Sequence, residues 1–330
     1  MLNATRRQGL FFVAVASLGL GFADAASAAL LAYEPFEFGD VAVPSEGQYA
    51  LGDENAGTNL LGGQDPTIGP TAFYGGAWIQ SGGDSQAVKA LPSLAYPMFA
   101  PGVGGVQQET IQFACCSFGR TGREIAGGLG AGREDRTVYE SFLIDFGTQG
   151  TDDPTQFGFR GHELWNGAIG DSTRTVALIV NHFAGINELS LIVSTASGTT
   201  TVAVAGGGLD LPTLALQNGG THLVVMRYSF SADGADAVAV FFDPTSSVEP
   251  LVPDASVSVA ASDLAITHHG AFTGFTFSGA GHVPGAIDEI RWGDTFADVT
   301  PFIVPEPSMH ALLGVGLACL AAARRGRTRR

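Results

Sequence analysis

T-H-L-V-V-M-R-Y-S-F at Thr221–Phe230 is followed by S-A-D-G-A at 231–235 and D-A-V-A-V-F-F-D at 236–243. The two outer runs are rich in β-branched and aromatic residues. The short connection between them contains an Asp-Gly step. Two such runs across so short a link predict an antiparallel hairpin. The chain on either side of it repeats the pattern. T-V-Y-E-S-F-L-I-D-F at 137–146 is a strong strand with partial alternation. Runs at 175–183, 188–195 and 199–205 follow at strand-and-turn intervals. Segments 30–38 and 73–79 lie before them, and 265–268, 272–277 and 285–292 after the hairpin. No segment keeps a 3.6-residue apolar period, so little helix is expected. Many strands joined by turns, with no helices between them, make a sandwich or barrel rather than an α/β sheet. The expectation is an all-β fold, a two-sheet antiparallel sandwich from about Leu30 to Val299, with the first and last strands near each other.

The two ends of the chain read differently from this body. Arg6 and Arg7 precede an apolar run at 9–22, and Ala26-Ser27-Ala28 follows as a small-x-small step. That order is a secretory signal peptide, cleaved between Ala28 and Ala29 and handled by the Sec machinery. Residues 304–330 read V-P-E-P-S, then an apolar run at 309–323, then Arg324, Arg325, Arg327, Arg329 and Arg330. As a helix the run would span about 22 Å, short of the roughly 30 Å hydrocarbon core. Arginine stems can snorkel and extend its reach, and the charged end stays cytoplasmic. The division is therefore 1–28 signal peptide, 29–303 sandwich and 304–330 sorting tail.

The whole chain carries a formal charge of −16. Seven of its 16 basic residues lie in the two terminal segments, against only two of its 32 acidic ones, so the body carries −21. A body this acidic repels DNA and anionic membranes, and no nucleic-acid partner is expected. Cys115 and Cys116 are adjacent, with Cα atoms about 3.8 Å apart, below the usual disulfide range. Their pairing stays open between buried thiols, a strained vicinal bridge and an intermolecular link.

Two resemblances follow from these residues. The 304–330 segment closely resembles the PEP-CTERM sorting signal of Gram-negative bacteria, with Pro305, Glu306 and Pro307 matching its tripeptide and Arg324 and Arg325 opening its basic end. The resemblance implies a transient inner-membrane anchor, recognition and removal by an exosortase, and delivery to the cell surface in association with exopolysaccharide and biofilm. The second rests on L-L-A-Y-E-P-F-E-F at 30–38, the central hairpin, and G-A-I-D-E-I-R-W-G-D-T-F-A-D-V at 285–299. These look like the opening, central and closing strands of LamG-like jelly rolls, relatives of the concanavalin A-like lectins and glucanases. That implies a carbohydrate- or protein-binding module, with a divergent glycoside hydrolase as the alternative.

Chemistry is harder to find. The E-x-D-x-x-E pattern of glucanases with this fold is absent, as are a G-x-S-x-G elbow and a P-loop. Gly83-Asp84-Ser85 and Gly170-Asp171-Ser172 read as turns. Asp288 and Glu289, as strand neighbours, should point to opposite faces. His268-His269 could donate to a metal, but adjacent strand residues diverge, so a surface or core role is expected. Trp78, Trp165 and Trp292 are candidates for stacking on sugar rings, weighed against the commoner core role. Asp233, Asp236 and Asp243 at the hairpin are weak Ca²⁺ candidates without EF-hand spacing, and no other cofactor is expected. Residues 101–136 stand apart, glycine-rich and holding four of the body's nine basic residues. They read as a long surface loop whose arginines pair with Glu124, Glu134 and Asp135, or else bind an anion or partner.

Overall fold

The computed structural model describes residues 30–37, 50, 64, 73–82, 86–89, 91, 93–99, 106–109, 117–130, 135–147, 157–183, 186–204, 220–261, 263–276 and 285–302. The described residues form two antiparallel sheets packed face to face as a jelly-roll sandwich. The eight-stranded sheet runs β13 (Ala255–Ala261), β12 (Ala235–Phe242), β11 (Thr221–Phe230), β6 (Arg136–Asp145), β15 (Ala286–Gly293), β4 (Val106–Glu109) and β3 (Gln86–Lys89), and β1 (Leu30–Glu34) also pairs with β15. The seven-stranded sheet runs β10 (Gly198–Ala203), β9 (Ile186–Thr195), β8 (Arg174–Phe183), β7 (Phe157–Trp165), β14 (Ile266–Thr276), β5 (Ser117–Leu129) and β2 (Ile79–Gly82).

The hairpin that opened the sequence reading is β11–β12, in register from Val224 opposite Phe242 to Ser229 opposite Ala237. The first and last strands are neighbours, with Tyr33 opposite Arg291. Period-two alternation sends Val138, Phe142, Val224, Met226, Val238 and Val240 into one core against Leu164, Leu178, Leu191 and Ile266 of the facing sheet. The runs at 265–268 and 272–277 are one strand, β14, interrupted by a bulge. The expected surface loop at 101–136 is a correction. It carries β4 and the 13-residue β5, which lies between β14 and β2. Its glycines and arginines break the apolar alternation by which a strand is recognised, and Arg120 and Arg123 are buried.

A second layer covers the outer face of the eight-stranded sheet. Tyr139, Leu143, Leu223, Val225 and Phe241 point outward and are capped by Phe99, Phe296 and Val299. Phe296 and Val299 belong to the short helix α1 (Phe296–Val299), whose N-terminus is closed by a reciprocal capping box between Thr295 and Asp298. No helix among the described residues is long and apolar enough to cross a membrane. The expected signal peptide, with Ala26 and Ala28, and the sorting tail, with Pro305, Glu306, Pro307, Arg324 and Arg325, lie outside the described residues, as do Cys115 and Cys116.

Candidate functional site

The most concentrated polar chemistry lies between the two sheets. Glu140 falls between Val138 and Phe142 on β6, so alternation turns it inward with them. His162 on β7 lies two residues before the inward Leu164 and meets it, with Nε2 2.9 Å from Glu140 Oε1. The Tyr228 hydroxyl, on β11, donates to Glu140 Oε2 at 2.6 Å. All three side chains are buried. Beside them His269 of β14 stacks on Tyr74 with ring centroids 4.7 Å apart and tilts against Trp78 at 5.0 Å. Arg123 lies over the Tyr74 ring, donates through Nε to the Gly76 carbonyl at 2.6 Å and pairs with the buried Glu34 at 3.4 Å. Burial, then the neighbouring His162 and Arg123, holds the His269 imidazole well below its usual pKa, so the ring is neutral. Burial and the adjacent Glu140 hold the Tyr228 phenol well above its usual range. His162 Nδ1 has no hydrogen-bond partner among the described residues. This centre can hold protons and polar atoms, but its ionisable groups are closed to a polymer arriving from outside.

A second network lies on the outer face of the seven-stranded sheet. Arg120 of β5 reaches across β14 to Glu163 of β7, donating through Nε at 2.6 Å, and also binds Asp171. Arg174 donates to the same Glu163 at 3.0 Å and lies 3.8 Å from Asp171. Glu163 and Arg120 are buried, whereas the Asp171 side chain is 76 % exposed. Burial works against the Arg120 charge, but the bonds to Glu163 and Asp171 outweigh it and raise its pKa. Two carboxylates therefore converge on shared guanidinium groups. Both already accept hydrogen bonds or ion pairs from arginine. Trp165 lies beside this network, packed on the bare backbone of Gly122 and Gly270.

The structure places the remaining candidates as follows. Trp78, Trp165 and Trp292 are 1 %, 0 % and 0 % exposed, so none can stack on a sugar ring. Their rings do more for the free energy as core, and Trp292 stacks on Tyr228 at 5.7 Å. Asp233 lies in the β11–β12 turn. Both oxygens of Asp236 accept backbone N–H groups, from Ser231 at 2.8 Å and Leu264 at 3.1 Å. Those of Asp243 face His222 Nδ1 at 2.8 Å and the Leu223 N–H at 3.0 Å. Asp236 and Asp243 therefore fasten turns, and among the described residues no three His, Cys, Asp or Glu side chains form a metal-binding group. Asp171-Ser172 and the residue after them form a single 3₁₀ turn, while 83–85 lie outside the described residues. His269 is the core histidine, and His268 is only partly covered.

The expectation that Asp288 and Glu289 point apart is overturned. A bulge between Asp288 and Arg291, with Glu289 at φ 55°, interrupts the alternation. Ile287 and Ile290 both stay in the inter-sheet core, and both carboxylates turn to the outer layer. Asp288 accepts the Leu94 N–H at 3.0 Å, and Glu289 accepts the Tyr33 hydroxyl and pairs with Arg291 at 2.6 Å. Sequence reasoning missed Glu140, His162 and the Arg120–Glu163 pair. Glu140 carried a signal, a charge at an inward position of a strong strand. Arg120 and Glu163 carried none, because β5 and β7 themselves were not recognised.

No protein family and no curated protein matches the sequence. Among solved structures, the chain is similar to an endo-β-1,4-glucuronan lyase from the fungus Trichoderma reesei, at 14 % identity and TM-score 0.41 over 67 % of this chain and 92 % of the lyase. It is similar to the lectin UEA-II complexed with galactose, at 12 % identity and TM-score 0.35 over 66 % and 92 %. The globular domain of T. cruzi calreticulin overlaps at 13 % identity and TM-score 0.36 over 66 % and 83 %. At such scores neither ligand nor activity follows from these likenesses.

Proposed function

We propose that this chain is an exported cell-surface or extracellular-matrix protein whose sandwich binds carbohydrate or protein without turning it over. The observation that carries the reading is that the ionisable clusters among the described residues are internally paired. Glu140 is held by His162 and Tyr228 inside the protein, and the buried Glu163 is held by Arg120 and Arg174. A hydrolase acting on an extracellular polymer needs one carboxyl group free to give a proton and a second within about 10 Å to act across the bond. The Sec-type start, the PEP-CTERM-like tail and the −21 body support export, with an exosortase as the processing partner and exopolysaccharide of the biofilm as the surrounding polymer. A glycan array probed with purified protein tests the binding arm, and weak binding by one glycan class is expected. Release of reducing sugar from any bound glycan would establish the glycoside hydrolase alternative instead.

A further inference from the structure

The loop between β12 and β13 has an unusual surface. It reads P-T-S-S-V-E-P-L-V-P-D at 244–254. Val248, Leu251 and Val252 are 73 %, 101 % and 77 % exposed. The loop is fastened at its base and middle. The Asp254 N–H donates to the Val240 carbonyl at 2.8 Å, and its carboxylate accepts the Phe242 N–H at 2.7 Å. Glu249 is bound by Arg227 and accepts the Tyr139 hydroxyl at 2.7 Å, so the one charge near the tip is neutralised. Pro250 and Pro253 fix two further backbone torsions. The aliphatic side chains are therefore held out in water by a pre-organised support.

The position of this loop says what it meets. The Tyr96 hydroxyl donates to the Pro244 carbonyl at 3.4 Å, at the loop's first residue. The same Tyr96 ring packs on Phe302 at 6.5 Å, and Phe302 also bridges to Phe99. Phe302 is the last described residue before the V-P-E-P segment and its apolar run. The loop and the point where the chain leaves for its tail thus belong to one outer layer, on the same face of the eight-stranded sheet. Of the six large hydrophobic side chains exposed to solvent among the described residues, four (Met98, Val248, Leu251 and Val252) sit on the segments of this layer. A second copy is a poor occupant, because two bodies of −21 repel.

We propose that the 244–254 loop docks the precursor on the uncharged lipid surface of the membrane holding its tail, seating the sandwich with this outer layer downward. The inference rests on the reading of residues 304–330 as a transient anchor. The tail supplies a high local concentration, so three aliphatic side chains suffice where they would not hold a free protein. The acidic body sets the lipid preference, for zwitterionic over anionic headgroups.

The test uses the full chain in vesicles of phosphatidylcholine containing brominated phosphatidylcholine, which quenches tryptophan at lipid depth. The three native tryptophans are buried and give an unquenched background. Leu251→Trp should lose about half of its added emission, as expected for a side chain within 5–10 Å of the headgroup boundary. Thr200→Trp, on the exposed edge strand β10 of the other sheet, should lose none. Addition of phosphatidylglycerol should reduce quenching at position 251. A chain that floats with the vesicles while Leu251→Trp stays unquenched, or one quenched equally at both positions, overturns the docking and leaves the anchor reading standing. A chain that fails to float overturns both.

Discussion

Asp288 lies under the backbone of Leu94, and burial, then the charge of Glu289, lifts its carboxyl well above the ordinary range. The folded chain therefore binds this proton more tightly than the unfolded chain, whose aspartates titrate near 3.9. Its contribution to stability is full below about pH 3.9 and is lost as pH rises through the folded value. His269 acts in the opposite sense. Its folded pKa lies well below the ordinary 6.5, so its contribution is present above about 6.5 and is lost on acidification below that. Asp288→Asn keeps an acceptor for the Leu94 N–H and removes the opposing proton. The variant should be more stable than wild type at pH 7, and between pH 7 and 5 should lose up to about 1.4 kcal/mol more per pH unit. Melting curves at the two pH values decide this, and parallel behaviour would show that Asp288 is not the group responsible. Part of this was legible in the sequence. His269 and His268 diverge as strand neighbours should, whereas the bulge that turns Asp288 and Glu289 to one side depends on a left-handed backbone at Glu289 that no local pattern announced.

Among the elements, recognition followed composition. Thr221–Phe230 was read with its true bounds and 137–146 within a residue, because apolar and β-branched side chains dominate both. β5 and β7 were not recognised, and their shared chemistry explains why. Arg120 and Glu163 must pass each other over β14, and Trp165 must lie against the sheet, so the strands beneath carry Gly122 and Gly270 where a side chain would intrude. The residues that make the network are those that disguise its strands as loop. Gly270→Ala should show the cost directly. The new methyl would collide with the Glu163 carbonyl and meet the Trp165 ring at 3.1 Å, forcing β7 away from β14. Overpacking of this kind costs about 1–3 kcal/mol, and urea unfolding measures it. A variant as stable as wild type would mean that the Arg120–Glu163 crossing tolerates a wider sheet.

At the scale of the whole molecule, the sandwich was legible from the count and spacing of strands, while the site was not, because jelly-roll strands announce their packing and not their ligand. The tail prediction also belongs here. Proline at 305 and 307 denies that stretch helical hydrogen bonds and favours extended geometry in the residue before each. The mature extracellular protein is expected to end near residue 304, and Glu306→Ala to accumulate uncut precursor. Intact mass spectrometry ending at Arg330 would make the tail a plain anchor. The pairing of the first strand with the last has its own effect on timing. β15 is the penultimate element of the described fold, yet it lies between β6 on one side and β1 and β4 on the other. A chain emerging from its N-terminus can build the hairpins of both sheets, but β1 and β6 have nothing to join them until residue 286 arrives. The sandwich is a clasp whose tongue is made after every other described strand, so β1 and β4 are fastened to β6 only once β15 has been synthesised.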